Sequence, residues 1–360
     1  MKYLGGFDMG NTNKSNGRIF SLDLIRIVAI LAVVMIHVSA GFINTESSKS
    51  WEFVFGNIFD SLSRIGVPLF VMVSGSLMLN ESKEITLTQI LRKNVLNIAA
   101  LLVFWSAFYA VVYQIIIPLS NDSPISIKDF IYAFVFGHVH LWYLYMIIGL
   151  YLITPVLRSF VKKENSKIVL YFIILSCLVQ FFVPLINILY HRISKVSLLL
   201  DFIDKFDLSF VCGYVTYYLL GWYIINVGFD KRFKKWLYAA GVFSALFTIV
   251  STQLFPAQYL NTYSNMNIFI LIYSVALFDF LHSYYKKNEK FEKILKQLSP
   301  LAFGVYAIHI AIISLFGYIF PYNGTHIVYI LIKWVVVTIL SFGVTFLLSK
   351  IPVLKKLVRG

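Results

Sequence analysis

The residues best able to do chemistry lie in one apolar stretch, 18–42, RIFSLDLIRIVAILAVVMIHVSAGF, which carries Asp23, Arg26 and His37. The stretch is long enough to cross a bilayer, and an ionisable side chain inside a membrane helix marks a candidate functional site. Arg26 and His37 are eleven residues apart. At about 100° per residue they return to within about 20° of one helix face, about 16 Å apart along the axis. Asp23, three residues before Arg26, is placed to pair with it. An imidazole near neutrality can take a proton and return it, as a general base must. An arginine can hold phosphate through forked hydrogen bonds. The competing reading is an interhelical polar clamp, in which Asp23 and Arg26 close on each other and His37 bonds a neighbouring serine.

Other ionisable residues fall inside apolar runs. Asp60 and Arg64 are four apart and can neutralise each other on one helix face. Lys333, near the start of the last apolar run, is expected to snorkel outwards. His138 and His140 open a run; at i, i+2 they do not share a helix face, which argues against a metal site. His309 lies mid-run, where a lone histidine often serves a helix–helix hydrogen bond.

The elements that must position these residues are membrane helices. Of the 360 residues, 59% are hydrophobic and 13% charged, against about 25% charged in soluble domains, and the mean hydropathy is +0.78. The apolar runs read as about ten spans: 19–42, 53–79, 92–117, 140–161, 167–189, 209–227, 235–255, 266–285, 298–320 and 327–349, with a possible break in the second at Pro68. This predicts an all-α polytopic bundle, with 1–18 and 350–360 as tails around one membrane domain, 19–349. The first residues are polar with no cleavage motif, so the first span is expected to be retained. Net charge is +14, and its placement argues for topology rather than nucleic acid. Lys and Arg crowd the two ends and the even connections, whereas the odd connections hold Lys49, Lys128, Arg192, Lys195 and Lys205. By the positive-inside rule both termini are cytoplasmic. Residues 189–208, with Asp201, Asp204 and Asp207, read as an external interfacial helix. Residues 286–297 read as a short solvated helix. Cys177 and Cys212 sit in apolar runs and suggest neither a disulfide framework nor a metal motif.

The chain resembles the acyltransferase-3 family, integral membrane acyltransferases that modify bacterial surface glycans. The resemblance is carried by SLDLIR and the Arg26–His37 spacing, by SRIGVPLFVMVSGSLML (63–79) and by the pair Arg92–Lys93. It continues through HLWYLYMIIGLYLITPVLR (140–158), YYLLGWYI (217–224) and SPLAFGVYAIH (299–309), covering about 19–349. Where the family often has a second arginine after the basic pair, this sequence has Leu96 and Asn97. The resemblance implies an acyl-CoA donor, usually acetyl-CoA, with no permanently bound cofactor, and a hydroxyl acceptor on a surface glycan outside the cell membrane. It implies His37 as catalytic residue with Arg26 as its partner on the donor. From the residues themselves, Asp23 stands beside Arg26 as a catalytic candidate, Arg64, Arg92 and Lys93 are candidates for the donor, and His140, Arg64 and His309 for the acceptor side or the oxyanion. The imidazole would either take the hydroxyl proton or carry the acyl group itself. Two other classes fit a polytopic bundle with buried charges: a glycan or lipid transporter, although no paired broken helices mark two halves, and a non-catalytic subunit or sensor.

Overall fold

The computed structural model describes residues 18–45, 48–121, 123–183, 185, 205, 213–256, 259–321 and 327–358. Among them it is helical throughout, with no strand. The principal helices are α1 (Phe20–Thr45), α2 (Trp51–Ser63), α3 (Gly66–Met78), α4 (Leu87–Ser120), α5 (Ile127–Phe136), α6 (Trp142–Phe160) and α7 (Lys163–Phe182). They continue with α8 (Val215–Asn226), α9 (Lys231–Leu254), α10 (Ile268–Ser283), α11 (Glu289–Leu298), α12 (Ala302–Ile319), α13 (Ile327–Leu348) and α14 (Pro352–Val358).

Polar caps punctuate the apolar sequence. Ser50 accepts from the backbone of Phe53 to start α2, Asp230 from Arg232 and Phe233 to start α9, and Asn267 from Phe269 to start α10. Thr86 and Gln89 form a reciprocal capping box at α4, satisfying donors that the first helical turn leaves unpaired. A helix stands in each of the ten expected spans. Eight helical stretches among the described residues are long and apolar enough to cross a membrane. The twelve residues of α8 and sixteen of α10 extend only about 18 and 24 Å at 1.5 Å per residue. The protein is an all-α polytopic membrane protein.

One local expectation needs correction. The second span does break, but at Arg64–Ile65 rather than Pro68. Pro68 sits in the first turn of α3, where its missing N–H has no intrahelical carbonyl to lose. The connection before the fourth span holds a further helix, α5, capped by Ser126 and ended by Gly137 at φ +71°. Residues 286–297 do carry a helix, α11, although one face is buried through Glu292 and Leu295. The expected cap at 189–208 lies outside the described residues apart from Lys205, and Cys212 lies outside them too; Cys177 is a free thiol.

The bundle is organised around α1. Its Leu22, Ile25 and Ala29 join an apolar cluster with α3, α8 and α10, while Ile30, Val34 and Val38 join another with α4, α12 and α13. The tightest crossing is α3 on α8. A Cβ at Gly75 would overlap the Tyr218 carbonyl, and one at Gly221 would overlap the Met72 carbonyl, so two backbones touch where no other residue fits. Arg158, at the end of α6, donates to the carbonyl of Met78, the last residue of α3, and to those of Asn80 and Lys83 in the connection after it, tying the two helix ends together. At the far end of the chain, Trp105 Nε1 donates to the Leu357 carbonyl at 3.1 Å, holding α14 against α4.

Candidate functional site

A cavity of about 220 Å³ runs between α1, α3, α6 and α12. Both Arg26 and His37 line it, as their helical spacing requires. α3 contributes Phe70 and Ser74 to the wall, and α6 contributes Tyr143 and Tyr151. The turn before α12 adds Ser299, and α12 itself adds Phe303 and Tyr306.

At one end Arg26 is held by a small polar network. Its NH1 donates to Ser299 Oγ at 3.0 Å, and Ser299 Oγ donates to Asp23 Oδ1 at 2.7 Å. The direct Arg26–Asp23 approach is longer, 3.5 Å, with Ser299 bridging to the same oxygen, while the other carboxylate oxygen takes Arg18 Nε at 2.5 Å. Asp23, 5% exposed, is therefore shared by two arginines and a serine, and it lies behind the cavity wall. Ser21 bonds His282 Nδ1 at 2.8 Å on the same end of α1, tying it to α10.

At the other end four histidines gather. The ring of His37 lies 5.0 Å from that of His309 and 6.4 Å from that of His140, and those two are 5.5 Å apart, centroid to centroid. His37 makes no hydrogen bond with another described residue. The serine clamp is not formed: Ser39, the serine two residues on, donates instead to the Met35 carbonyl and to Asp60. His138 and His140 face each other, Nδ1 to Nδ1 at 2.9 Å. The i, i+2 spacing misled because His138 precedes a short 3-10 turn, Val139–Leu141, rather than standing on a regular helix. Tyr306 donates to the His140 carbonyl at 2.7 Å, and Tyr109 donates to the Ala307 carbonyl at 2.7 Å. These two bonds lock the turn, α4 and α12 into one frame. His138 stacks on Tyr109 and Tyr113. Nε2 of His140 and of His309 are buried without a partner among the described residues. No group of His, Cys, Asp or Glu among those residues is arranged to hold a metal.

The remaining candidates are placed elsewhere. Arg64 is closed on Asp60, its guanidinium 4.2 Å from the Tyr263 ring centroid, so neutralisation on one face is realised. Arg92 and Lys93 stand exposed on a wide π-helical turn of α4, Ile90–Val95, away from the cavity wall. Lys333 Nζ lies 5.8 Å from the Tyr329 ring, one turn towards the start of α13. His309 is not on the cavity wall, although its ring abuts that of His37. Ser299, Tyr143, Tyr151 and Tyr306 were not singled out from sequence. A hydroxyl carries no charge to betray it in an apolar run, and the chain holds 23 tyrosines.

No curated protein and no solved structure matches this chain. The family model described as an acyltransferase domain matches residues 19–350, which takes in all of the cavity wall. α1, with Arg26 and His37, lies inside that match, and the protein belongs to the acyltransferase-3 family of membrane acyltransferases.

Proposed function

We propose that the protein transfers an acyl group, acetyl in the simplest case, from cytoplasmic acyl-CoA to a hydroxyl of an extracytoplasmic surface glycan or related envelope acceptor, across the cell membrane. One observation carries the reading: a single cavity holds a cation at one level and an unbonded imidazole about 16 Å further along α1. The charge distribution supports placing the Arg26 end at the cytoplasm. Arg26, steadied by Ser299 and Asp23, would meet the anionic donor as it enters, with the exposed Arg92 and Lys93 drawing its phosphates towards the mouth. Arg64 is committed to Asp60, so its part in donor binding or at the oxyanion is at most a field effect.

The thioester is already activated and its carbonyl needs only a nucleophile and a base. The acceptor oxygen attacks the carbonyl carbon as His37 takes the hydroxyl proton; the C–S bond then breaks, and the thiolate leaves with that proton. His140, on the cavity wall beside His37, can present Nε2–H to the developing oxyanion when its Nδ1 accepts from His138. The test is turnover of labelled acetyl-CoA by the purified protein in liposomes. Release of free CoA with acyl transfer, or slow hydrolysis when water is the acceptor, is expected. Movement of a glycolipid across the bilayer without CoA release would make it a transporter, and neither activity would make it a subunit or sensor.

A further inference from the structure

Resting on the reading of His37 as proton acceptor, we propose that His309 is its positioning residue: its Nε2 takes the N–H of the His37 ring, so that the other His37 nitrogen presents a lone pair to the cavity.

The tautomer of His309 follows from its neighbours. Its Nδ1 lies 2.7 Å from the Tyr306 carbonyl and 3.2 Å from the Val305 carbonyl, on its own helix. A carbonyl only accepts, so Nδ1 carries the hydrogen. In the neutral ring Nε2 is then a lone pair and nothing else. That atom is buried, in a residue 0% exposed, and has no partner among the described residues. A buried acceptor without a donor calls for an explanation. The nearest ring able to supply a donor is His37, 5.0 Å away between centroids and itself without a hydrogen bond to a described residue. Catalytic hydrogen bonds are often long before substrate binds and tighten in the complex. A base oriented by a third group through its second nitrogen is the logic of hydrolytic triads; an imidazole fills the third place in this protein. The geometry also argues against His309 at the oxyanion, since a lone pair repels a negative oxygen.

The test is acetyl-CoA turnover in liposomes with water as acceptor, measured across pH for the parent, His309→Leu and His309→Gln. The groups facing His37 are His309 from α12, His140 and His138 from the turn before α6, and Arg64 from the α2–α3 break; all but His309 are kept. His309→Leu is expected to lower kcat by about 10- to 100-fold, the loss typical when the partner that orients a metal-bound imidazole is removed, with KM for acetyl-CoA unchanged. Its acid limb should move, because the His37 imidazolium loses both a hydrogen-bond acceptor and a neighbouring ring. Glutamine can still accept through Oε1, so His309→Gln should recover most of the rate and the limb. Should the leucine variant fail to fold, the Gln variant and ring-nitrogen NMR of the parent decide: one fixed His37 tautomer is expected, and an even mixture overturns the proposal. A leucine variant at parent rate, or two variants equally slow with the limb unmoved, also overturns it. A parent without turnover, or a His37→Gln variant at parent rate, would instead sink the functional reading itself.

Discussion

Ser299 was not marked in sequence, yet it sits between the two charges that set the donor end of the cavity, so Ser299→Ala is an informative perturbation. The change deletes two hydrogen bonds, from Arg26 NH1 at 3.0 Å and to Asp23 Oδ1 at 2.7 Å. Asp23 is 5% exposed, and leaving one of its oxygens without that donor costs about 1–3 kcal/mol. Arg18 stays on the other oxygen, which keeps the cost towards the lower part of that range. Arg26 is partly open to the cavity, so water can replace its lost partner and adds little. The functional consequence is larger. Without Ser299 the shortest remaining partner of Arg26 is Asp23, now 3.5 Å away, and the guanidinium is drawn back from the cavity towards the carboxylate. We expect KM for acyl-CoA to rise about tenfold, equivalent to about 1.4 kcal/mol. We expect kcat within about twofold of the parent, because His37 lies about 16 Å further along the helix. The assay is a donor titration in liposomes beside a melting curve in detergent. Unchanged KM together with an unchanged melting temperature would show that the network does not hold Arg26 for the donor. A fall in kcat at constant KM would place Ser299 in the chemistry and refute the division of the cavity into two ends.

Gly221→Ala should destabilise the α3–α8 crossing by about 1–3 kcal/mol, the cost of forcing a methyl into a packed contact; a melting temperature at the parent value would contradict the crossing. Turnover should fall as pH drops through the titration of the imidazole, because a protonated ring has no lone pair to accept the acceptor's proton; a rate that is flat or rising towards acid argues against a base at His37. With both native cysteines replaced, a cysteine at Lys128 should react with an impermeant reagent applied outside intact cells and one at Lys290 should not. The reverse pattern would invert the positive-inside assignment.

The amount legible in sequence differed by kind of residue. Charges and imidazoles stand out against an apolar background, so Arg26 and His37 were found, and helical geometry placed them correctly on one face. The helices themselves were found because an apolar run of membrane length has few other uses. What the sequence could not show is which helices meet. Asp23 was expected to face Arg26, yet its nearer partner is Arg18, and the serine that joins it to Arg26 lies more than 270 residues along the chain. His309 was visible as a polar residue in α12, but only the fold brings its ring against His37. The His138–His140 contact was missed for a local reason: side-chain facing rules for helices do not hold where Gly137 and a 3-10 turn interrupt the helix. Pro68 drew attention as a break because proline is disruptive inside helices; the chain instead breaks just before, where Arg64 turns to Asp60.

The central claim is that the His37 imidazole performs acyl transfer. The most direct measurement is turnover of labelled acetyl-CoA by purified His37→Gln protein in liposomes, with folding checked by its melting temperature. Glutamine keeps hydrogen-bonding capacity in the space of the ring but cannot take up and return a proton near neutral pH. A folded protein with acyl transfer reduced to background is expected. A folded Gln variant that transfers acyl groups at close to the parent rate would contradict it.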